Sequence, residues 1–324
     1  MQMAWGYAPP LIIEAATRHG VFDHLETGPK TVEEIATLSG GSVRGLRAIM
    51  NALTGLGLLA KSDGRYSLTP ESAAFLVSGK PGYHGGFFRH MSDLIPNWLQ
   101  LNEVVQTGRP VRNVNEEGDG AAFFHDFVEA LFPMSYAATQ ALAGALGLDG
   151  AQSPVRVLDL AAGSGVWGIG LARRSPQVTV TAVDWPGVLD VTLKMVERHG
   201  LTARFSFVPG DLATADFGRG HNVATLGHIL HSEGEKRSRA LLKKTFDALA
   251  PGGTISIAEF LVDDARATAA SGLIFGVNMV VATTDGDTFS FNEIAGWLQE
   301  AGFENPRPLE APGPSPLTLA TKPV

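Results

Sequence analysis

The stretch Val155-Arg-Val-Leu-Asp-Leu-Ala-Ala-Gly-Ser-Gly-Val-Trp-Gly168 decides how this chain folds. An apolar, β-branched run from Val155 to Leu160 stops at small residues, and an apolar helical pattern starts at Val166. That order describes a buried strand, a tight turn and a helix N-terminus. An open α/β sheet holds anionic or nucleoside ligands at such a place. Gly163, Gly165 and Gly168 satisfy G-x-G-x-x-G, a pattern that glycine turns also produce for steric reasons alone. The next apolar strand, Thr179-Val-Thr-Ala-Val-Asp184, ends in an acid. Asp184 follows the glycines at roughly the twenty-residue spacing that suits a ribose hydroxyl. Together the two strands point to a nucleoside cofactor.

Asp159 separates the candidate cofactors. It stands inside the strand end, where a dinucleotide fold has no use for a carboxylate. A carboxylate there can order the glycine loop and face a cationic amino-acid moiety. Asp159 to Gly165 resembles the D-x-G-x-G-x-G loop that holds S-adenosylmethionine (SAM) in class I methyltransferases, with Ala161 in place of the first glycine. Alanine fits there if its φ is negative. The reading is therefore SAM and not a nicotinamide dinucleotide.

Strands and helices keep alternating beyond this unit. Strands are predicted at 204–208, 222–226 and 254–260, and helices at 187–199, 235–249, 267–282 and 291–301. The capping box Ser290-Phe-Asn-Glu293 opens the last helix. Two further strands, 306–311 and 316–322, reverse around Pro312-Gly313-Pro314. The expected fold class is α/β, a Rossmann-like, mostly parallel sheet with an antiparallel C-terminal edge, preceded by a helical, winged-helix domain.

The upstream half supplies that first domain. Helical spacing covers Tyr7 to Leu25 with a break near Gly20. Thr31-Val-Glu-Glu34 forms a capping box, and Ser42 caps a third helix from Val43. Leu58 to Thr69 then reads as a hairpin turning at Asp63-Gly64. Three helices and a hairpin make a winged helix. Residues 1–100 carry eight Lys/Arg and eight Asp/Glu, so the basic stripe of a DNA reader is missing and a dimerisation module is expected. Residues 101–152 are expected to be a helical linker contributing to the substrate pocket, and 153–324 the SAM-binding domain. Within 84–147 the aromatics are dense, with Asn113 to Gly120 as a loop and Met134 beginning the last helix. Phe124, Phe127 and Met134 are candidates for an apolar pocket, as are Phe275 and Met279 on the helix at 267–282.

Composition narrows the classes further. The 324 residues are 44% apolar and 18% charged, with a formal net charge of −8, which argues against a partner bound through phosphates. There is no cysteine, so thiolate chemistry and disulfides are excluded. No stretch has the form of a signal peptide or spans a bilayer, and a cytoplasmic protein is expected. No cluster suits Mg²⁺, so metal independence is expected.

The order of motifs resembles the SAM-dependent small-molecule O-methyltransferases with an N-terminal winged-helix dimerisation domain, the group of plant phenolic, acetylserotonin and bacterial polyketide enzymes. The likeness rests on Leu158 to Gly165, Val183-Asp-Trp-Pro-Gly-Val-Leu189, Pro209-Gly-Asp-Leu212, Ile229-Leu-His-Ser232, Leu249-Ala-Pro-Gly-Gly253 and Ala258-Glu259. It implies that Gly163 and Gly165 border the methionine part of SAM and that Asp184 takes the ribose hydroxyls. Trp185 would then flank the adenine, with Asp211 and Leu212 beside its amino group. It also implies that His231 removes the proton of the acceptor hydroxyl, oriented by Glu259, in a homodimer acting on a small molecule. The sequence departs from the family at Ser232 and Glu233, which stand in place of Asp-Trp, and at Thr288, in place of a second acid. Carbon methylation, or a non-methylating reaction at the same SAM site, are the alternatives these departures leave open. His228 is either a second polar contact or without a role.

Overall fold

The structure is a computed structural model that describes residues 3–324, the side chains of Asp119 and Asp126 apart. The first two residues of the expected N-terminal domain thus lie outside the described residues. The chain divides into two compact units, one ending at Leu99 and the other spanning Gln100–Val324.

In the first unit, α1 (Ala8–Arg18) opens on prolines, which the first helical turn tolerates. Gly20, at φ 61°, separates it from α2 (Val21–Leu25). The Thr31–Glu34 capping box starts α3 (Val32–Ser39), and the Ser42 hydroxyl caps α4 (Val43–Gly55). The strands β1 (Leu59–Ser62) and β2 (Arg65–Leu68) pair antiparallel across Asp63-Gly64, both at positive φ as a two-residue hairpin demands. Phe22, Ile35, Met50, Leu53 and Tyr66 form a fully buried core, and the Tyr66 hydroxyl donates to Asn51 at 2.7 Å. Three short helices follow, α5 (Pro70–Phe75), α6 (Gly85–Phe88) and α7 (Met91–Trp98).

The second unit begins with α8 (Leu101–Thr107) and the long α9 (Glu117–Ala145). Helix α9 runs straight through Pro133, so Met134 sits in mid-helix and the loop before it ends at Glu116. Both points correct the sequence reading, in which Met134 began the last helix and the loop ran from Asn113 to Gly120. A proline inside a helix costs about 3 kcal/mol, but Val128, Ala138, Leu142 and Ala143 are buried in one cluster with α10 (Val166–Arg174) and α11 (Pro186–Arg198). That packing holds the helix together.

The sheet contains β3 (Val155–Leu160), β4 (Val178–Asp184), β5 (Phe205–Pro209), β6 (His221–Gly227), β7 (Leu249–Ala258), β8 (Glu304–Leu309) and β9 (Leu317–Thr321), ordered β5-β4-β3-β6-β7-β9-β8. The first five are parallel, and β9 runs antiparallel to both β7 and β8. Alternation along β3 sends Val157 into the layer of α9 to α11. Leu158 and Leu160 go to the opposite layer, with α12 (Leu230–Ala248) and α14 (Phe291–Ala301). The last turn of helix α13 (Ala270–Ala282) accepts the Val111 and Val114 N–H groups at 2.9 Å. Strand order reverses between β3 and β6, which puts a crevice at their carboxyl ends.

Candidate functional site

Two side-chain groups gather at that edge. The first is built on the turn after β3. Gly165, at φ 73°, caps α10, and a Cβ there would come within 2.9 Å of Thr192 Cγ2. The Thr192 hydroxyl donates to the Gly163 carbonyl at 2.7 Å and fixes the turn from outside. Ala161 takes φ 51°, which overturns the expectation of a negative angle. The turn is closed on both sides, by Gly165 N–H to Ala162 O at 2.7 Å and by Ala162 N–H to Val183 O at 3.2 Å. The alanine accepts a conformation that costs roughly 1–2 kcal/mol.

Asp159 lies wholly covered beneath this turn. Its Oδ2 accepts from the Gly168 N–H at 2.9 Å and its Oδ1 from the Thr225 hydroxyl at 2.7 Å. Burial pushes its pKa up to about 7. Both oxygens are used inside the protein, so this carboxylate stitches β3 to β6 and α10. Of the two roles expected of it, ordering the loop is the one the geometry provides.

Asp184 is partly exposed at the end of β4. It accepts from the Gly163 N–H at 2.9 Å and from the Trp185 N–H at 2.7 Å. Burial raises its pKa to about 6. Each oxygen of a carboxylate has a second lone pair, so the group can accept from a ligand while tying the glycine turn to β4. The Trp185 ring stands 6.4 Å from that of Phe124. Gly210 N–H reaches the Asp184 carbonyl at 2.9 Å and brings Asp211 alongside. Asp211 accepts from Ala213 N–H at 2.8 Å and faces Arg237 at 3.5 Å, while Arg237 itself is held by Glu233 at 2.7 Å. Leu212 is buried, with its carbonyl accepting from Lys244 at 2.8 Å. Carboxylates at Asp184 and Asp211, a flat ring at Trp185 and a turn free of side chains at Gly163 and Gly165 suit an adenosine-bearing ligand.

The second group forms after β6. His231 is nearly covered, and its Nδ1 lies 2.6 Å from Glu259 Oε2. Glu259 Oε1 accepts from the Leu230 and His231 N–H groups at 2.7 and 3.3 Å. Burial pushes the Glu259 carboxyl up, but the adjacent His231 and these hydrogen bonds outweigh it and hold the pKa below its ordinary value. A carboxylate on Nδ1 selects the Nδ1–H tautomer and leaves the Nε2 lone pair to accept a proton. Phe275 meets the His231 ring edge-on at 4.9 Å, and Phe260 lies 6.1 Å away.

The departures from the family motif have structural uses. The Ser232 hydroxyl donates to Ile229 O at 3.0 Å, and its carbonyl accepts from the Asn115 amide. Glu233 serves Arg237. Gly234 breaks α12 at φ 69°, ψ 170° because a side chain there would strike the Asp285 carbonyl. The Asp287 N–H donates to His231 O at 2.9 Å, while its carboxylate turns to the Thr288 N–H at 2.7 Å. Among the described residues Glu259 is the carboxylate hydrogen-bonded to His231.

The structure thus brings Phe275 to His231 and Phe124 to Trp185. Phe127 packs on Phe123 at 5.1 Å, and the carbonyl of Met134 abuts the reversal at Gly313. Met279 is buried one turn beyond Phe275 on α13. Thr192, Thr225 and Phe260 were missed by sequence reasoning. Phe260 alone had a signal, its place directly after Glu259. No group of three or more potential metal ligands occurs among the described residues, and none of their helices is long and apolar enough to cross a membrane.

Residues 100–304 match the O-methyltransferase domain family, and residues 1–78 match the O-methyltransferase dimerisation domain. The chain is 32% identical to a 3-hydroxy-5-methyl-1-naphthoate 3-O-methyltransferase of Streptomyces sahachiroi, over 99% of this chain and 94% of that one. It is 29% identical to the tetracenomycin polyketide synthesis 8-O-methyl transferase of Streptomyces glaucescens, over 100% and 96%. The crystal structure of human N-acetylserotonin methyltransferase with SAM shares the fold. Its TM-score is 0.84 at 22% identity, over 100% of this chain and 96% of that chain.

Proposed function

The chain belongs to the SAM-dependent O-methyltransferases, and on that footing we propose that it methylates a hydroxyl of an apolar, aromatic or polyketide-like small molecule, with His231 as general base. The observation that carries this reading is the His231–Glu259 pair at 2.6 Å, set among Phe260 and Phe275. When bound, SAM supplies an electrophilic methyl group on a sulfonium. Gly163, Gly165, Asp184, Trp185, Asp211 and Leu212 are the residues that would hold it, and Asp159 would act through the turn.

The protein's own chemistry is then a proton transfer. The acceptor hydroxyl gives its proton to Nε2 of His231 while its oxygen takes the methyl group. Glu259 stabilises the imidazolium that results and keeps the ring in place. Beyond that, in-line placement of the oxygen supplies the rate. The two Streptomyces relatives bear names of aromatic and polyketide substrates, and a ring-lined site accords with such acceptors.

Incubation with SAM and a panel of hydroxynaphthoates and polyketide phenols tests the reading. One equivalent of S-adenosylhomocysteine should appear per methyl ether, identified by mass spectrometry and NMR. Methylation at carbon, or turnover without S-adenosylhomocysteine, would reject it.

We also propose that the chain works as a homodimer. The match of residues 1–78 to the dimerisation domain supports this, as do the exposed Trp5, Tyr7, Leu56 and Phe75 of the first unit. Sedimentation equilibrium at micromolar concentration should give twice the chain mass, and a stable monomer would refute it.

A further inference from the structure

His228 lies three residues before His231, in the left-handed backbone region at φ 59°. Its N–H donates to Ala258 O at 2.8 Å, at the end of β7, and its Nε2 lies 2.9 Å from the hydroxyl of buried Ser315. Ser315 reaches it because Leu317, two residues on, pairs with Ala258 across β7 and β9. Backbone conformation, strand pairing and a side-chain hydrogen bond therefore fix this imidazole.

Its ring stands 6.5 Å from that of His231 and 5.0 Å from Phe260, which lies 4.3 Å from Phe275. The four rings form one cluster. Within it His231 Nε2 and His228 Nδ1 make no hydrogen bond among the described residues. We propose that His228 is a specificity-determining residue, whose Nδ1 binds a second oxygen of the acceptor while His231 addresses the oxygen that is methylated. This rests on the placement of the acceptor at His231.

Burial lowers the His228 pKa to about 4, so the ring is neutral near pH 7 and acts as a hydrogen-bonding group, not a charge. Hydrogen bonds of about 2.8 Å from rings so spaced reach two oxygens of one planar acceptor. Oxygens on alternate ring carbons, the pattern left when a poly-β-ketone chain cyclises, are the chemical class this favours. A neutral imidazole also disfavours an acceptor that lacks the second oxygen, because its nitrogen is then left without a partner.

The test compares 1-naphthol with 1,3-dihydroxynaphthalene as binding probes, by titration calorimetry on the full-length protein saturated with S-adenosylhomocysteine. Wild type should bind the diol about 5–10-fold more tightly, the worth of one net hydrogen bond. His228→Phe should erase that preference by weakening the diol, and His228→Gln should restore part of it. Ser315→Ala, which frees the imidazole to turn, should give an intermediate preference, and it serves if the phenylalanine variant does not fold. Equal affinity of wild type for the two probes, failure to bind the diol, or an unchanged preference in His228→Phe and Ser315→Ala would each overturn the proposal. The readout is binding, so loss of the His231 mechanism, seen in turnover, stays distinguishable from loss of the His228 contact.

Discussion

The cofactor turn and the ring cluster at His231 share one edge of one sheet but are assembled differently. At the turn, Gly163 is tied to Asp184 across 21 residues, and most of the polar contacts run to main-chain groups. At the cluster, side chains arrive from the junction of β6 and α12, from the segment after β7, from α13 and from the approach to β9, and the contacts that matter run between side chains. A site made of backbone is insensitive to the identity of most side chains around it. A site made of side chains from four segments can change its acceptor with one substitution. On the proposed reading, substitutions in the ring cluster should change the acceptor, whereas most side-chain changes around the turn should leave cofactor binding in place.

The sharpest way to break it is at His231. His231→Ala should lower turnover about 10²–10⁴-fold, the usual worth of a general base, while SAM affinity stays within twofold. Glu259→Gln should cost less, since a tautomer-setting partner is weakened and the base remains. Stopped assays for S-adenosylhomocysteine together with calorimetry separate the two effects. Full activity of His231→Ala at neutral pH would mean that the cluster does not hold the base.

Asp184 probes the other region. Asp184→Ala should weaken SAM binding by roughly 1.5–3 kcal/mol with little effect on acceptor binding. The same carboxyl predicts a pH dependence. Burial raises Asp184 to about 6 and Asp159 to about 7, above the usual carboxylate pKa of about 4. Between pH 4 and 7 the folded protein thus holds protons that the unfolded chain has released, and these two groups subtract stability as pH rises through that window. SAM affinity should run the opposite way, climbing from pH 5 to 7 as Asp184 ionises and becomes the better acceptor. Calorimetry at several pH values checks this, and a flat profile that persists in Asp184→Ala would remove Asp184 from the ribose site.

The smallest effect is expected at Ala161. Ala161→Gly relieves a left-handed alanine and should raise stability by about 0.5–1 kcal/mol or less, since glycine also loosens the unfolded chain. Urea unfolding measures it. A destabilised variant would show that the Ala161 methyl packs favourably enough to outweigh its backbone.

These regions also differed in how far the sequence disclosed them. Strand β3, its turn, α10 and Asp184 form a contiguous pattern, and hydrophobic periodicity with glycine punctuation was enough to find them. His231 and Glu259 were found through a family resemblance. Their contact depends on β6 lying beside β7, which the chain order alone does not state. Ala161 was misjudged because local preference favours negative φ, whereas the turn is closed by a bond within it, Gly165 N–H to Ala162 O, and by one to β4, Ala162 N–H to Val183 O. Met134 was misjudged because the burial of Val128, Ala138, Leu142 and Ala143 carries α9 through Pro133, and that packing is not visible in local sequence. Ser315 and Thr225 carry no local signal at all, since a hydroxyl becomes informative only once its partner is known.

The lateness of Ser315 in the chain has a consequence in time. The Gly163–Asp184 contact closes a loop of 21 residues, and the His228–Ser315 contact closes one of 87. Closing the longer loop costs roughly 1 kcal/mol more chain entropy. It also needs β9 to be seated between β7 and β8. On refolding from denaturant, the capacity to bind nucleoside should return before the capacity to discriminate acceptors.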